Sequence, residues 1–400
     1  MTEDGRARLT AFDQFTVKLH SRCNLACDYC YVYELRDTSW RERPRTMPRT
    51  VREKLAERIA EHVRRHGLER IRVILHGGEP LLAGARVIDE FATSVRQSVE
   101  AVGGSAEFAL QTNGTLLSEP MLDVLHRHDV RVGVSLDGDA EAHDRHRAGR
   151  GKGAGAGRGS HARVTEALEL LGSPRHRRLF GGLLCTVDPA NPPRRTYEAL
   201  ATHRPPAIDF LLPHATWDFP PAGADTTHAP YGDWLCEVFD HWESTGRLVP
   251  VRLFDSVVTL LRYGSGSGTE LLGMLPAANI VIESEGALVW TDSLNAVADR
   301  AGHTGANIFG HSFDDLLALP ELPETGIGTL CSTCRTCPHV DVCGGGLQAH
   351  RFGAGRGFHN PSVYCLDLTR LIRHIHRRIQ GALRDVSVSD RSPDGQNCLS

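Results

Sequence analysis

The 400-residue chain has no apolar run approaching the roughly 18 residues that a membrane helix needs. Its first residues, Met1 to Arg8, are polar and lack the apolar segment of a secretory signal. Both absences point to the cytoplasm and away from a membrane partner. The charge balance lacks a basic excess: the formal net charge is −4, and no basic stripe is present. Nucleic acid is therefore not expected as a partner. The basic run around His374, His376, Arg377 and Arg378 reads as a solvated helix face. What the chain does have is a globular composition, 40% hydrophobic and 24% charged, and eleven cysteines. In a cytoplasmic setting these argue for metal or redox work rather than disulfides. Eight of the eleven fall in two tight groups. Cys185 and Cys236 read as ordinary buried thiols, and Cys398 as a tail residue.

Strand–helix alternation dominates the first half. Strands are expected at 14–19, 70–75, 106–111, 130–136, 179–187 and 207–212. Between them lie helices from Thr50 to a stop at Gly67, near 87–102, after Ser118, near 161–171 and near 194–203. Thr50 and Glu53 form a capping-box pattern. Six such units predict an α/β fold with a parallel sheet, a partial (β/α)6 TIM-like barrel. The insert at 149–159 is glycine-rich and reads as a flexible linker rather than a phosphate loop. The expected organisation is a tail at 1–11, a core at 12–230, a bridging region at 231–325, a cysteine-bearing domain at 326–370, and a helix with a disordered tail at 371–400. The 326–367 stretch has little periodicity, so metal is its expected staple.

The first cysteine group is Cys23-x3-Cys27-x2-Cys30, just after the first strand. Three thiolates can hold three irons of a four-iron cluster and leave the fourth iron open. A closed zinc site would want a fourth ligand, which His20 could supply. The other polar motifs also follow strands: His76-Gly77-Gly78-Glu79-Pro80, Thr112-Asn113-Gly114 and Ser135-Leu136-Asp137-Gly138. In a parallel barrel such loops converge on the C-terminal face, where active sites sit. The second group is Cys331-x2-Cys334-x2-Cys337-x5-Cys343-x21-Cys365, for which a zinc ribbon is the alternative to a cluster.

CxxxCxxC with Tyr29 before the last cysteine, followed by GGEP, resembles the signature of radical S-adenosylmethionine (SAM) enzymes over residues 12–212. The resemblance implies a SAM-binding [4Fe–4S] cluster on Cys23, Cys27 and Cys30. It implies that Gly77, Gly78 and Glu79 hold the methionyl ammonium, that backbone near Tyr29 reads the adenine, and that Ser135 and Arg147 meet the ribose or carboxylate. Pro80, Asn113 and Asp137 belong to the same implied SAM-binding set. The second cysteine group resembles the C-terminal SPASM domain of peptide-modifying radical SAM enzymes. There Cys334, Cys337, Cys343 and Cys365 fit one auxiliary [4Fe–4S] cluster, with Cys331 as a spare or alternative ligand. Leu347 and Thr291 stand where a second auxiliary cluster would need cysteines.

The stretches HSRCNLACDYCYVYE, VRLFDS, FLLPHATWD and CGGGLQAHRFGAGRGFHNPSVYC are similar to FxsB-type maturases. That similarity implies carbon–carbon cyclophane closure in a ribosomally made precursor peptide, between an aromatic ring and the β-carbon of a nearby residue. It also implies a flavodoxin- or ferredoxin-type reductant. Thioether formation, formylglycine generation and a non-catalytic metal-binding scaffold are the alternatives. Asp292 is the candidate base. It follows Thr291, as an Asp follows an auxiliary-cluster cysteine in related enzymes that make formylglycine; a surface Asp–Ser turn is the competing reading.

Overall fold

The computed structural model describes residues 9–151, 156–223, 227–265, 269–274, 278–319 and 326–389, with side chains beyond 381 excepted. Residues 1–8 of the expected tail, 152–155 of the glycine-rich insert and 390–400, with Cys398, lie outside them.

Six parallel strands form the heart of the sheet, in chain order. They are β1 (Gln14–His20), β3 (Arg70–Gly77), β4 (Ser105–Thr112), β5 (Arg131–Ser135), β7 (Phe180–Thr186) and β8 (Ile208–Leu211). Between them run α1 (Arg49–His66), α2 (Ala85–Glu100), α3 (Glu119–Arg127), α4 (Ala140–His146), α5 (His161–Gly172) and α6 (Pro193–Ala201). β1 is buried along nearly its whole length, as expected of a strand covered on both faces. Two short strands sit outside this sheet: β2 (Leu25–Cys27) and β6 (Arg147–Gly149) pair antiparallel.

The expected bridging region extends the sheet. β9 (Asn279–Ile282) pairs parallel with β1, and β10 (Ala287–Val289) and β11 (His303–Asn307) follow antiparallel, making nine strands. These strands are thus continuous with the central sheet. α7 (Pro230–Ser244) and α8 (Arg252–Tyr263) pack against α12 (Cys365–Ser389), while the short α9 (Phe313–Leu317) packs on α1. The cysteine-bearing segment holds α10 (Ser332–Arg335) and α11 (Val340–Cys343) and shares Val342, Tyr364 and Leu368 with the main core.

Four expectations need correction. α1 begins at Arg49 behind Pro48, so Thr50 does not cap it, and Glu53 pairs with Arg49 at 2.7 Å instead. The described flanks of the glycine-rich insert are tied down, because Gly149 N–H donates to Arg158 O and Gly157 N–H to Gly149 O. The basic face of α12 meets an acidic face of α7: His374 bonds Asp240 at 2.8 Å and Arg378 meets Glu243 at 2.6 Å. α12 also continues to Ser389, so the helix takes up most of the stretch at 371–400 expected to end in a disordered tail.

Candidate active site

The three-cysteine loop leaves β1 at the C-terminal edge of the sheet. Cys30 N–H donates to Cys27 O at 3.1 Å and Glu34 N–H to Cys30 O at 2.9 Å, closing a tight turn. Pairing of β2 with β6 sets Cys27 opposite Arg147, whose guanidinium reaches the Cys27 sulfur at 4.0 Å. Leu25 N–H and the Asn113 amide address the Cys23 sulfur at 3.4 and 3.7 Å. Burial pushes the Cys23 thiol up to about 12 and Cys27 up to about 11. Thiolates here therefore need a positively charged group, such as a metal, to form.

Around a tetrahedral zinc the ligand sulfurs would stand about 3.8 Å apart, given Zn–S bonds near 2.3 Å. Among the described residues, only His62, His66 and Asp314 bring three ligand atoms within 4.8 Å of one another. Both cysteine groups are more open, which suits a polynuclear cluster. His20, the alternative zinc ligand, instead turns its Nδ1 to the Arg22 backbone at 3.0–3.2 Å. The fit is therefore to iron–sulfur clusters.

The glycines of HGGEP are dictated by close approach. Gly77 has φ 144°, and a Cβ there would strike the His20 carbonyl; one on Gly78 would strike the Tyr33 hydroxyl and the Arg22 carbonyl. Gly78 and Glu79 N–H groups donate to His20 O and Arg22 O, locking this turn to the cysteine loop. Gly77, Gly78, Asn113, Ser135, Tyr29 and Arg147 line one cavity of about 380 Å³ with the three cysteines.

Glu79, Pro80 and Asp137 lie behind that lining. The Glu79 carboxylate accepts from Thr112 Oγ1 (2.7 Å), Asn113 N–H (2.8 Å) and Leu81 N–H (3.0 Å). Burial raises it to about 7, and among the described residues no cation pairs with it. A cationic ligand nearby would relieve that burial. Pro80, itself buried, opens the short turn that carries Leu81. Asp137 grips Arg147 Nε at 2.7 Å, takes Thr186 N–H at 3.0 Å and accepts the Tyr29 hydroxyl. Burial pushes Asp137 up, but Arg147 outweighs it and holds the carboxyl below its usual range. Ser135 accepts from Gln111 at 2.9 Å.

Asp292 lines the same cavity and is not a surface turn. Tyr31 donates its hydroxyl to Asp292 at 2.9 Å, and Lys18 Nζ lies 3.5 Å away. Lys18 is 2% exposed and is held on its other side by Glu283 at 3.0 Å. Burial pushes Asp292 up, yet Lys18 and then its other neighbours hold it below the usual carboxylate range. His76 and His214 also face it, but burial pushes both imidazoles down, His214 to about 4. They are uncharged at neutral pH, so Lys18 is the cation that keeps Asp292 ionised. His214 stacks on Tyr31 with ring centroids 4.2 Å apart. Phe210, Leu212, Leu347 and His350 complete an apolar wall.

Sequence reasoning missed Lys18, Tyr31 and His214. A lysine inside a run of otherwise buried strand residues was the available signal for the first.

The five C-terminal cysteines form a second group. Cys334 interacts with Cys331, Cys343 and Cys365, and Cys343 and Cys365 each with Cys337. Thr291 caps the turn holding Asp292, its hydroxyl accepting from Ser293 N–H at 3.3 Å.

Residues 17–173 match the model of the radical SAM superfamily. The serine-type anaerobic sulfatase-maturating enzyme of Klebsiella aerogenes is 25% identical over 356 residues, covering 83% of this chain and 78% of its own. The cysteine-type enzyme of Clostridium perfringens is 25% identical over 375 residues, covering 90% and 95%. Among solved structures, native anSMEcpe with bound AdoMet and Cp18Cys peptide shares the fold with a TM-score of 0.76 at 21% identity, covering 93% of this chain and 99% of that one. Streptococcus suis SuiB bound to precursor peptide SuiA does so at 0.60 and 14%, covering 90% and 76%.

Proposed function

We propose that this chain, a radical SAM enzyme whose cofactors are S-adenosylmethionine and [4Fe–4S] clusters, is a peptide maturase that closes a cyclophane. It would join an aromatic ring carbon to the β-carbon of a residue two positions on in a ribosomally made precursor peptide. The observation that carries the reading is Asp292, an ionised carboxylate set in the same cavity as the three-cysteine loop and bordered by Phe210, Leu212 and Leu347.

When bound, the cluster and SAM supply a 5′-deoxyadenosyl radical able to take hydrogen from an unactivated carbon. The chain's own part is to hold and orient. Cys23, Cys27 and Cys30 hold three irons. Gly77, Gly78, Asn113, Ser135, Arg147 and the backbone near Tyr29 receive SAM, while Glu79, Pro80 and Asp137 position that lining from behind. Asp292 takes the proton that the ring carbon gives up on regaining aromaticity. Tyr31 aims the carboxylate, and Lys18 keeps it ionised until the proton arrives.

Cys334, Cys337, Cys343 and Cys365 hold one auxiliary cluster in a SPASM-like segment at 326–370, with Cys331 as spare or alternative ligand. Thr291 and Leu347, neither of them a thiolate, support a single auxiliary cluster. A flavodoxin- or ferredoxin-type protein would supply electrons, and the cytoplasm suits this chemistry.

Formylglycine generation is the second reading, favoured by the similarity to sulfatase-maturating enzymes. Two synthetic peptides separate the two, one ending in aromatic-x-Ser and one carrying a single Ser or Cys without aromatics. With reconstituted enzyme, SAM and dithionite, the first should lose two hydrogens, resist hydrazine trapping and fail to fragment between the joined residues. A hydrazone adduct on either peptide would replace cross-linking with formylglycine.

A further inference from the structure

We propose that Arg351 is the counter-charge of the auxiliary cluster and sets that cluster as an electron acceptor; this rests on the reading of Cys334, Cys337, Cys343 and Cys365 as its ligands. Arg351 closes the 3-10 turn Gln348–Arg351 that also carries His350 into the cavity wall. Its Nε and Nη1 are buried without a hydrogen-bond partner. Among the described residues no carboxylate pairs with it. A guanidinium stays charged, and burying one without a counter-charge is strongly unfavourable. The groups near it that can become anionic are sulfurs, those of Cys334, Cys331 and Cys343.

The backbone points the same way. Gly344, Gly345 and Gly346 all take left-handed φ values of 63°, 84° and 70°. Gly346 N–H donates to the Cys343 carbonyl at 3.0 Å, closing the turn that carries this cysteine. The same path sets the guanidinium in van der Waals range of this turn, since a Cβ on Gly345 would lie 3.7 Å from Arg351 Nη1, an ordinary contact distance. The turn that carries Cys343 thus has a buried cation packed against it.

A cube held by four thiolates is anionic in both oxidation states and gains one negative charge on reduction. Fixed positive charge near its sulfurs therefore stabilises the reduced form more and raises the potential. The need for this follows from the balance of the proposed reaction. The peptide surrenders one hydrogen atom, one proton and one electron, so the product lacks two hydrogens. The hydrogen atom goes to the deoxyadenosyl radical, the proton to Asp292 and the electron to the auxiliary cluster.

The test uses full-length protein with Cys23, Cys27 and Cys30 changed to Ala, so that auxiliary iron alone remains. Its potential is titrated by electron paramagnetic resonance of the reduced cluster, with and without Arg351→Gln and Arg351→Lys. Iron content should hold in both variants. Arg351→Gln should favour the oxidised form at least tenfold, a drop of about 59 mV for one electron, and Arg351→Lys should shift it less. Equal potentials for Arg and Gln overturn the proposal. Loss of iron from both variants overturns it too, making Arg351 a structural prop. A parent protein without auxiliary iron would instead show that the cysteine assignment itself fails, and the proposal with it.

Discussion

Glu79→Ala tests whether the carboxylate behind the cavity builds the site as well as serving a ligand. In the structure it satisfies three buried donors, Thr112 Oγ1, Asn113 N–H and Leu81 N–H. Alanine leaves all three unpaired. Each orphaned buried donor costs about 1–3 kcal/mol, so the total is about 3–6 kcal/mol when partial relaxation is allowed. Unfolding entropy near 2.1 cal/mol/K per residue gives roughly 0.8 kcal/mol/K for a chain of this length, so Tm should fall by about 4–7 °C. Glu79→Gln keeps an acceptor oxygen for Thr112 and Leu81 but turns its amide toward Asn113 N–H, and should cost about 1–3 kcal/mol. Differential scanning calorimetry measures both, and equilibrium dialysis with labelled SAM measures binding. Because Asn113 also touches Cys23, the alanine variant should lose SAM affinity and stability together. Glutamine should lose affinity in excess of its stability loss, since besides the one strained contact at Asn113 it removes the charge that an ammonium would meet. A Tm for Glu79→Ala equal to wild type would refute the positioning argument. Unchanged SAM affinity in Glu79→Gln would refute the charge.

Three further outcomes follow. Asp292→Asn should still form 5′-deoxyadenosine with the aromatic-x-Ser peptide while product falls by roughly 10²–10⁴-fold; full cross-linking by this variant would remove the base. Reconstituted wild type should hold about eight irons, and Cys23, Cys27 and Cys30 changed together to Ala should leave about four; about twelve in the wild type would sink the single auxiliary cluster. Lys18→Met should move the acid limb of product formation to higher pH. With Lys18, the carboxyl titrates below its usual range and the active anion persists on acidification; without it, burial dominates and raises that titration. An acid limb at the same pH in both proteins would show that Lys18 does not govern Asp292.

The central strands were legible because β1, β3, β4 and β7 run for seven or eight residues, and regular alternation with helices picks out the shorter β5 and β8. β9 to β11 were not, for a physical reason. Each has only three to five residues, too few for a period of two to stand out. What fixes β9 is a partner 265 positions away, Gln14 opposite Asn279. The capping box at Thr50 failed for a local reason. Pro48 sits at the N-cap with ψ 153°, which starts the helix a residue earlier and frees Glu53 to pair with Arg49.

The chemistry of the site divides along the same line between local and long-range information. Cysteine spacing and the glycine turns are written in consecutive residues, and close backbone approach explains why glycine is required at 77 and 78. The electrostatic setting of Asp292 is written in sheet register. Parallel pairing puts Lys18 of β1 opposite His76 of β3, and β9 on the other side of β1 delivers Glu283 just past its last strand residue. Lys18 therefore lies between Glu283 and Asp292, and Arg43 closes the far side of Glu283 at 2.7 Å. A motif shows the histidine of HGGEP but not the ammonium beside it. Shift β9 by one residue and Glu283 would face the other way, leaving Lys18 with Asp292 as its main counter-charge and tightening that pair. With Glu283 in place, Lys18 is shared: close enough to keep Asp292 ionised, yet engaged elsewhere when the carboxylate is neutralised by a proton. That division of one buried cation between two carboxylates would let Asp292, in the role of base proposed for it, be both charged at rest and able to accept.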